Sequence, residues 1–251
     1  MSMPEQCGRQ LLPCVGNRIA RLRGTVSRSD LLRRIPLLSS LSDDELDLLA
    51  SRLRRRAFGK GVVIFHEGDP GEWMHIIESG RVRIFAASES GREISVNIYG
   101  PGEVFGELSV LDGLPRSAGA IAIEDTVTLT LHRNDFWEQM SHSPHMARGI
   151  IQVLTRRLRY TTGYAESLAF LDVCGRVAAR LLEMGERYGV RREGIEIELH
   201  LTQGELASWV GASRESVNKV LRLLQEQGAI GIRSSHITLL DEGRLRSLIV
   251  Y

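Results

Sequence analysis

The chain reads Phe105-Gly-Glu-Leu-Ser-Val-Leu-Asp-Gly-Leu-Pro-Arg-Ser-Ala118 across the stretch that decides its fold. Gly106 lets the backbone approach a neighbouring group where any Cβ would intrude. Glu107 and Arg116 supply a carboxylate and a guanidinium, and Pro115 stiffens the turn before the arginine. Taken singly, these residues are more typical of a strand end with an ordinary surface ion pair, so their meaning depends on the surrounding sequence.

Short strand-like runs lie on both sides of this stretch, between residues 57 and 132, among them Val82-Arg-Ile-Phe85 and Val127-Thr-Leu-Thr-Leu131. Turn signals such as Glu67-Gly-Asp-Pro-Gly71 and Gly100-Pro-Gly102 separate the runs at intervals of about ten residues. Regular short strands divided by such turns are the signature of an all-β sandwich or jelly roll. We therefore expect that architecture in this part of the chain.

Helical periodicity flanks the β region on both sides. Ser42 and Glu45 have the spacing of a capping box, in which each side chain bonds a backbone amide of the other residue. After about residue 135 a second helical period persists to Leu168. Its seam follows the a and d spacing of a heptad, in the order Ile151, Leu154, Leu158, Thr161, Ala165 and Leu168. Such a seam predicts packing of this helix against a second copy of itself.

A second compact unit begins at about residue 172 and contains the pattern of a helix-turn-helix. Thr202 and Glu205 form another capping box, and Gly211-Ala-Ser213 has the length of the turn, with its serine placed to cap the second helix. The exposed face of that second helix is predicted to carry Arg214, Glu215, Asn218, Lys219 and Arg222. Two strand-like runs between residues 230 and 240 resemble a wing hairpin.

The second helix of this pattern has the charge of a DNA-reading helix. Its first residues can reach base edges, where Arg214 can bond to guanine and Glu215 can accept from cytosine, and Lys219 can reach a second base or a phosphate. The whole chain has a net charge of only +1, so affinity for double-stranded DNA must come from local cations. Residues 213–222 supply three basic side chains and one acidic side chain, a local net charge of +2.

The bulk composition and the motifs exclude several other classes of protein. At 43% hydrophobic and 25% charged residues, the composition is that of an ordinary globular protein. No apolar run approaches the roughly 18 residues of a membrane span, and no signal-peptide core is present, so we expect a cytoplasmic protein with no membrane partner. The three cysteines, Cys7, Cys14 and Cys174, fit a reducing compartment. Without a Walker loop, nucleophile elbow or zinc-ligand spacing, we expect neither an enzyme nor a metal site.

The chemistry of the first stretch suits a cyclic nucleotide monophosphate, which presents a phosphate, a ribose 2′-hydroxyl and a flat base. Arg116 can pair with the phosphate, Ser117 can donate from its hydroxyl, and Glu107 can accept from the 2′-hydroxyl. The stretch also resembles the phosphate-binding cassette of cyclic-nucleotide-binding domains, whose Phe-Gly-Glu-Leu and Pro-Arg-Ser-Ala motifs it reproduces in order. The candidate ligand contacts there are Gly106, Glu107, Leu108, Arg116 and Ser117.

Both motifs together resemble the cyclic-AMP receptor protein (CRP/FNR) family of transcription regulators. Residues 60–70 and 76–85 are similar to its β-roll framework, and Ser213-Arg-Glu-Ser-Val-Asn-Lys219 is similar to its recognition helix. The resemblance covers roughly residues 30–245 and implies an α+β fold. We expect four parts: a flexible leader over 1–29, a β-roll (jelly-roll) cyclic-nucleotide-binding domain over 30–140, a dimerisation helix over 141–171, and a winged helix-turn-helix DNA-binding domain over 172–251.

The resemblance implies a homodimer that responds to a cyclic nucleotide, binds a palindromic operator and acts with RNA polymerase. Thr161 and Thr162 occupy the place of a Thr-Ser pair that meets the adenine from both subunits in the cyclic-AMP receptor proteins. They imply cyclic AMP as the allosteric ligand. The predicted DNA contacts are Thr202, Ser213, Arg214, Glu215, Asn218, Lys219 and Arg222.

Several alternatives keep the fold and change the signal. Cyclic di-GMP would need further arginines, for which Arg83, Arg92 and Arg159 are available, and some relatives bind no nucleotide. Iron–sulfur sensing would need four suitably placed cysteines, and haem sensing would use His66 or His75. A regulatory subunit that does not bind DNA would have no use for the helix that begins at Arg214.

Overall fold

The structure, a computed structural model, describes residues 32–33, 35–89, 91, 93–199, 201–233 and 236–250. The predicted leader, with Cys7 and Cys14, and the candidate Arg92 lie outside the described residues. The domain boundaries given above stay a prediction.

The N-terminal half of the described chain is built from two antiparallel four-stranded sheets. The strands are β1 Arg54–Phe58, β2 Val63–Phe65, β3 Trp73–Ser79, β4 Val82–Ala87, β5 Glu93–Tyr99, β6 Val104–Phe105, β7 Gly119–Ala122 and β8 Thr126–His132. One sheet has the order β1-β8-β3-β6 and the other β2-β7-β4-β5. The turns predicted from glycine are present, since Gly68, Gly80, Gly91 and Gly102 all have positive φ. The predicted β-roll is confirmed.

The described helices are α1 Asp43–Arg52, α2 Glu107–Asp112, α3 Arg133–His142, α4 Pro144–Phe170, α5 Val173–Tyr188, α6 Gln203–Val210, α7 Arg214–Glu226 and α8 Glu242–Ser247. The capping box at the start of α1 forms as predicted: Glu45 accepts from the Ser42 amide at 2.7 Å, and Ser42 Oγ accepts from the Glu45 amide at 3.3 Å. The helical period predicted from residue 135 proves to be two helices, because Ser143 ends α3 and caps α4, with Pro144 in its first turn.

The C-terminal unit packs α5 to α8 against a small sheet of the order β11-β12-β10-β9. Its strands are β9 Gly189–Arg191, β10 Ile195–Ile197, β11 Ile230–Arg233 and β12 His236–Leu239. The last two form the predicted wing hairpin, with Ile232 opposite Ile237. Trp209, Val217 and Leu224 are fully buried at its centre. This core also includes Ile98 of β5 and Ile123, so the two halves of the chain share apolar contacts.

Helix α4 is the longest described element, with 27 residues and a length of about 40 Å. Its N-terminal part is anchored in the β-roll core, where Met146 and Ile150 are buried. Two residues of the predicted seam, Ile151 and Leu158, remain 61% and 70% exposed. An apolar stripe of this kind on a single chain is an open packing surface.

We expect Gly149→Ala to destabilise the protein, although alanine is the better helix former by about 1 kcal/mol. A Cβ at Gly149 would overlap the carbonyl oxygen of Leu37, which lies in the turn that precedes α1 and packs against α4. Overpacking of this kind costs about 1–3 kcal/mol. Thermal unfolding should therefore show a Tm lower by a few degrees.

Gly163→Ala on the same helix is the matched control. A Cβ at Gly163 would meet no atom within 4 Å, so this variant should keep or raise the Tm. Equal Tm values for the two variants would contradict close packing of α4 at Gly149.

Candidate functional site

The stretch from Phe105 to Ala118 folds into a compact turn around one arginine. Strand β6 ends at Phe105, and Gly106 follows with φ +72°, in the left-handed region that favours glycine. A Cβ at Gly106 would lie 2.6 Å from Arg116 Nη1. The glycine is therefore required by the close approach of the arginine side chain.

Arg116 is buried, with 6% of its surface exposed. Its Nη1 donates to the Gly106 carbonyl oxygen and its Nη2 to that of Trp73, both at 2.6 Å, and its guanidinium lies 4.2 Å from the centre of the Phe65 ring. Burial lowers the pKa of Arg116, and Glu107 and Asp69 oppose that shift. Its buried Nε has no hydrogen-bond partner among the described residues. The site thus holds a desolvated cation with one donor unsatisfied, which suits an anionic ligand.

Glu107 is fully buried and pairs with an arginine that the sequence analysis missed. Arg157 of α4 donates through Nη1 to Glu107 Oε1 and through Nη2 to the Val104 carbonyl oxygen. The Arg157 guanidinium also lies 4.7 Å from the centre of the Tyr99 ring. The second carboxylate oxygen, Glu107 Oε2, is buried and has no partner among the described residues. A hydroxyl group is the kind of donor that this oxygen can accept.

One signal in the sequence could have pointed to Arg157. It lies four residues before Thr161, so the two positions share a face of α4. Arg159, the arginine on α4 that was a candidate for cyclic di-GMP, lies at the exposed surface of the helix.

The remaining predicted ligand contacts lie at the surface. Leu108 is 40% exposed, and Ser117, Thr161 and Thr162 are exposed as well. The structure therefore brings Gly106, Glu107 and Arg116 together, and α4 contributes Arg157 to the same cluster. That these residues bind a nucleotide stays a prediction.

The residues considered for other signals are in different surroundings. Arg83 donates to Ser95 Oγ at 3.2 Å and to Glu93 Oε2 at 2.7 Å, so its guanidinium is engaged along β4 and β5. His66 is exposed, whereas His75 is buried with its ring stacked on Phe105 at 4.7 Å between centroids. Within the described ranges, no group of three or more His, Cys, Asp or Glu side chains could hold a metal ion. None of the described helices combines the length and the apolar character of a membrane span.

The C-terminal unit contains the helix-turn-helix predicted from the sequence. Thr202 and Glu205 form the capping box at the start of α6, with bonds of 2.7 Å and 3.1 Å between the amide of each residue and the side chain of the other. Gly211 ends α6 with φ +69°, and Ser213 Oγ accepts from the Ser216 amide at 3.1 Å to cap α7.

Most of the predicted DNA contacts lie on the open face of α7. Arg214, Glu215, Lys219 and Arg222 are exposed, as are Thr202 and Ser213 at the helix starts. Asn218 differs, since it is half-buried and its Nδ2 donates to Gln203 Oε1 at 2.9 Å. This bond ties α7 to α6 and leaves four exposed charged side chains on the recognition face. Their contact with DNA stays a prediction.

Comparisons with known proteins cover both halves of the chain. Residues 55–143 match the cyclic nucleotide-binding domain family, and residues 175–248 match the Crp-like helix-turn-helix domain family. A CRP-like cAMP-activated global transcriptional regulator of Mycobacterium tuberculosis is 35% identical over 217 residues, which are 86% of this chain and 97% of that protein. The cyclic AMP receptor protein of Thermus thermophilus is 37% identical over 195 residues, 78% of this chain and 88% of that protein.

Solved structures show the same arrangement. FixK2 of Bradyrhizobium japonicum superposes with a TM-score of 0.72 at 26% identity, covering 79% of this chain and 98% of that chain. CLP of Xanthomonas campestris, described as a c-di-GMP responsive global regulator, superposes with a TM-score of 0.69 at 27% identity, covering 79% and 99%.

The buried His75 gives stability a dependence on pH. Burial, with added repulsion from Arg116 and Arg56, lowers the pKa of His75 to about 3. In the unfolded chain this histidine takes up a proton near pH 6.5, whereas in the folded protein it stays neutral until about pH 3. The free energy of unfolding is therefore unaffected by this group above pH 6.5 and decreases as the pH falls from there towards 3. Between pH 7 and pH 5 this group alone should lower the free energy of unfolding by about 2 kcal/mol.

Urea unfolding of the wild type, His75→Gln and His66→Gln at the two pH values measures this effect. His75→Gln should lose most of that pH-dependent difference, while His66→Gln, at an exposed position, should keep it. A pH dependence unchanged in His75→Gln would show that His75 is not the group responsible.

Proposed function

Since the chain belongs to the CRP/FNR family of cyclic-nucleotide-binding transcription regulators, we propose that it is a homodimer that binds cyclic AMP in the β-roll and a palindromic DNA operator through α7. The family consists of DNA-binding regulators rather than enzymes. The observation that carries the ligand assignment is the adjacent pair of buried, half-satisfied groups, Arg116 Nε and Glu107 Oε2.

The two groups match the two polar ends of a cyclic ribose phosphate. Arg116 would supply a charge-assisted hydrogen bond to the phosphate, and the ligand's negative charge would offset the cost of burying the guanidinium. Glu107 Oε2 would accept from the ribose 2′-hydroxyl, while Arg157 orients the carboxylate by donating to Oε1. Thr161 and Thr162, one turn after Arg157, would meet the adenine when a second copy of α4 packs alongside.

Cyclic di-GMP is the alternative ligand, favoured by the similarity to the regulator of Xanthomonas campestris. It carries a second phosphate and a second guanine, which would need further cationic or stacking groups. Arg83 is committed to Glu93 and Ser95, and Arg159 stands exposed on α4. The cluster around Arg116 therefore favours a ligand with a single phosphate.

The exposed stripe of α4 supports the proposed homodimer. Pairing Ile151 and Leu158 with the same residues of a second copy would remove both from water, at about 25 cal/mol per Å² of apolar surface. A two-fold axis along α4 would present two α7 helices to one face of a duplex, about one helical turn apart. We propose that the dimer acts in the cytoplasm with RNA polymerase as its partner.

The test of the ligand is isothermal titration with cyclic AMP, cyclic GMP and cyclic di-GMP. Cyclic AMP should give saturable heat, and Arg116→Ala should weaken its binding about 100-fold or more, because the phosphate loses its charged donor. Arg148→Ala, an exposed arginine on α4, should bind as the wild type does. Heat from cyclic di-GMP alone, or from none of the three, would overturn the assignment of cyclic AMP.

The test of the DNA-reading face uses a duplex selected from a random library by the wild-type protein. Arg214→Ala should bind that duplex about 5- to 100-fold more weakly and tolerate changes at one base pair in each half-site, because a base contact is lost. Arg246→Ala on α8, whose side chain pairs with Glu242, is the control and should keep wild-type affinity. Equal affinities for the Arg214 variant and the wild type would exclude α7 as the reading helix in this register.

A further inference from the structure

Helix α4 contacts the DNA-reading unit through the hydroxyl group of Tyr160. This oxygen accepts hydrogen bonds from Arg180 Nη1 of α5 at 2.9 Å and from Trp209 Nε1 of α6 at 3.3 Å. Trp209 is fully buried, and Arg180 is 7% exposed. One oxygen of the long helix thus satisfies donors from two helices of the other unit.

An aromatic cage surrounds the same arginine. The Arg180 guanidinium lies 4.4 Å from the centre of the Tyr164 ring, 5.5 Å from that of Trp209 and 5.6 Å from that of Tyr160. Glu183 supplies the counter-charge as an ion pair. A buried cation between three rings is held by the ring faces as well as by its hydrogen bonds, so its position depends on α4 staying where it is.

The turn of the helix-turn-helix also rests on α4. A Cβ at Gly211 would lie 3.0 Å from a methyl group of Leu168 and 3.7 Å from the Tyr164 hydroxyl. That hydroxyl donates to the Trp209 carbonyl oxygen at 3.4 Å. Both the first helix of the motif and its turn are therefore seated against the C-terminal half of α4.

The same face of α4 reaches the Glu107 cluster one turn earlier. Arg157, Tyr160 and Tyr164 are spaced by three and four residues and so follow one another along one side of the helix. Arg157 pairs with Glu107, while Tyr160 and Tyr164 contact Trp209. Along the helix axis, Arg157 is about 5 Å from Tyr160 and about 10 Å from Tyr164.

We propose that Tyr160 is a positioning residue, whose hydroxyl ties the helix-turn-helix to α4 so that a change at the Glu107–Arg157 pair reaches α7. This inference rests on the proposed function and names the route of its regulation. These two hydrogen bonds form in only one arrangement of the two units. Rotation of the DNA-reading unit would move the Arg180 and Trp209 donors away from the Tyr160 oxygen. A bond present in only one of two arrangements contributes to the coupling between two sites.

The test compares Tyr160→Phe with Tyr188→Phe in the full-length chain. The first removes only the oxygen on α4. The second makes the same chemical change at a different contact between the two units. Tyr188 of α5 donates to the Ile98 carbonyl oxygen of β5 at 3.3 Å, in a bond that does not involve α4. The first readout is the ratio of operator dissociation constants without and with saturating cyclic AMP. The second is hydrogen–deuterium exchange of the amides of α6.

Tyr160→Phe should lower the ratio about tenfold, which corresponds to about 1.4 kcal/mol of lost coupling, while binding of cyclic AMP itself stays within a few-fold of wild type. It should also raise amide exchange in α6. Tyr188→Phe should leave the ratio within about twofold. A ratio unchanged in Tyr160→Phe, or lowered equally in both variants, would overturn the proposal.

The exchange measurement separates this inference from the proposed function. A wild-type ratio of one would count against the proposed nucleotide control of DNA binding. Amide exchange in α6 would then still decide whether Tyr160 holds the unit. Faster amide exchange in α6 in Tyr160→Phe, but not in Tyr188→Phe, would support the proposed role of the Tyr160 hydroxyl. Unchanged exchange in Tyr160→Phe would refute it.

Discussion

A guanidinium group buried in a β-roll needs oxygen acceptors around it, and the sensor half of this chain is arranged to supply them to Arg116. Two backbone carbonyl groups, those of Gly106 and Trp73, accept from it at 2.6 Å. The approach is possible because position 106 lacks a Cβ and takes a positive φ. The left-handed turn at Gly106 thus lets the desolvated charge reach its acceptors, and the acidic Glu107 beside it compensates part of that charge.

Local patterns in the sequence predicted much of this architecture. The jelly-roll strands, both capping boxes, the helix-turn-helix and the wing hairpin follow from turn residues, caps and periodicity, all of which act over a few positions. The β-roll framework itself was implied by the resemblance to the family. The contribution of Arg157 was not predicted, because its partner Glu107 lies fifty residues earlier. Its position one turn before Thr161 indicates a shared helix face but not this ion pair. Asn218 was expected on the open face, but a neighbouring helix supplied Gln203 as a partner.

The contacts between the two halves were also beyond local patterns. Tyr160 and Tyr164 lie beside the predicted seam, and Trp209 lies in the first helix of the predicted helix-turn-helix. The contacts of Tyr164 and Trp209 with Arg180 depend on how the two folded units pack together. Hydrophobic periodicity and helix caps do not encode that packing. The same holds for Arg187, which crosses from α5 to bond the Ile98 carbonyl oxygen at 2.9 Å and Asn97 Oδ1 at 3.1 Å.

The apolar core shared between the halves affects how the chain is made in the cell. Ile98 and Ile123 are buried among residues that extend as far as Leu245. A ribosome adds about 5–20 residues per second. After the β-roll is complete, the C-terminal residues that bury Ile98 and Ile123 therefore take on the order of ten seconds to be synthesised. During that interval β5, an edge strand, is open to pairing with other nascent chains. Chaperone demand should therefore concentrate on the first half of the polypeptide during its synthesis.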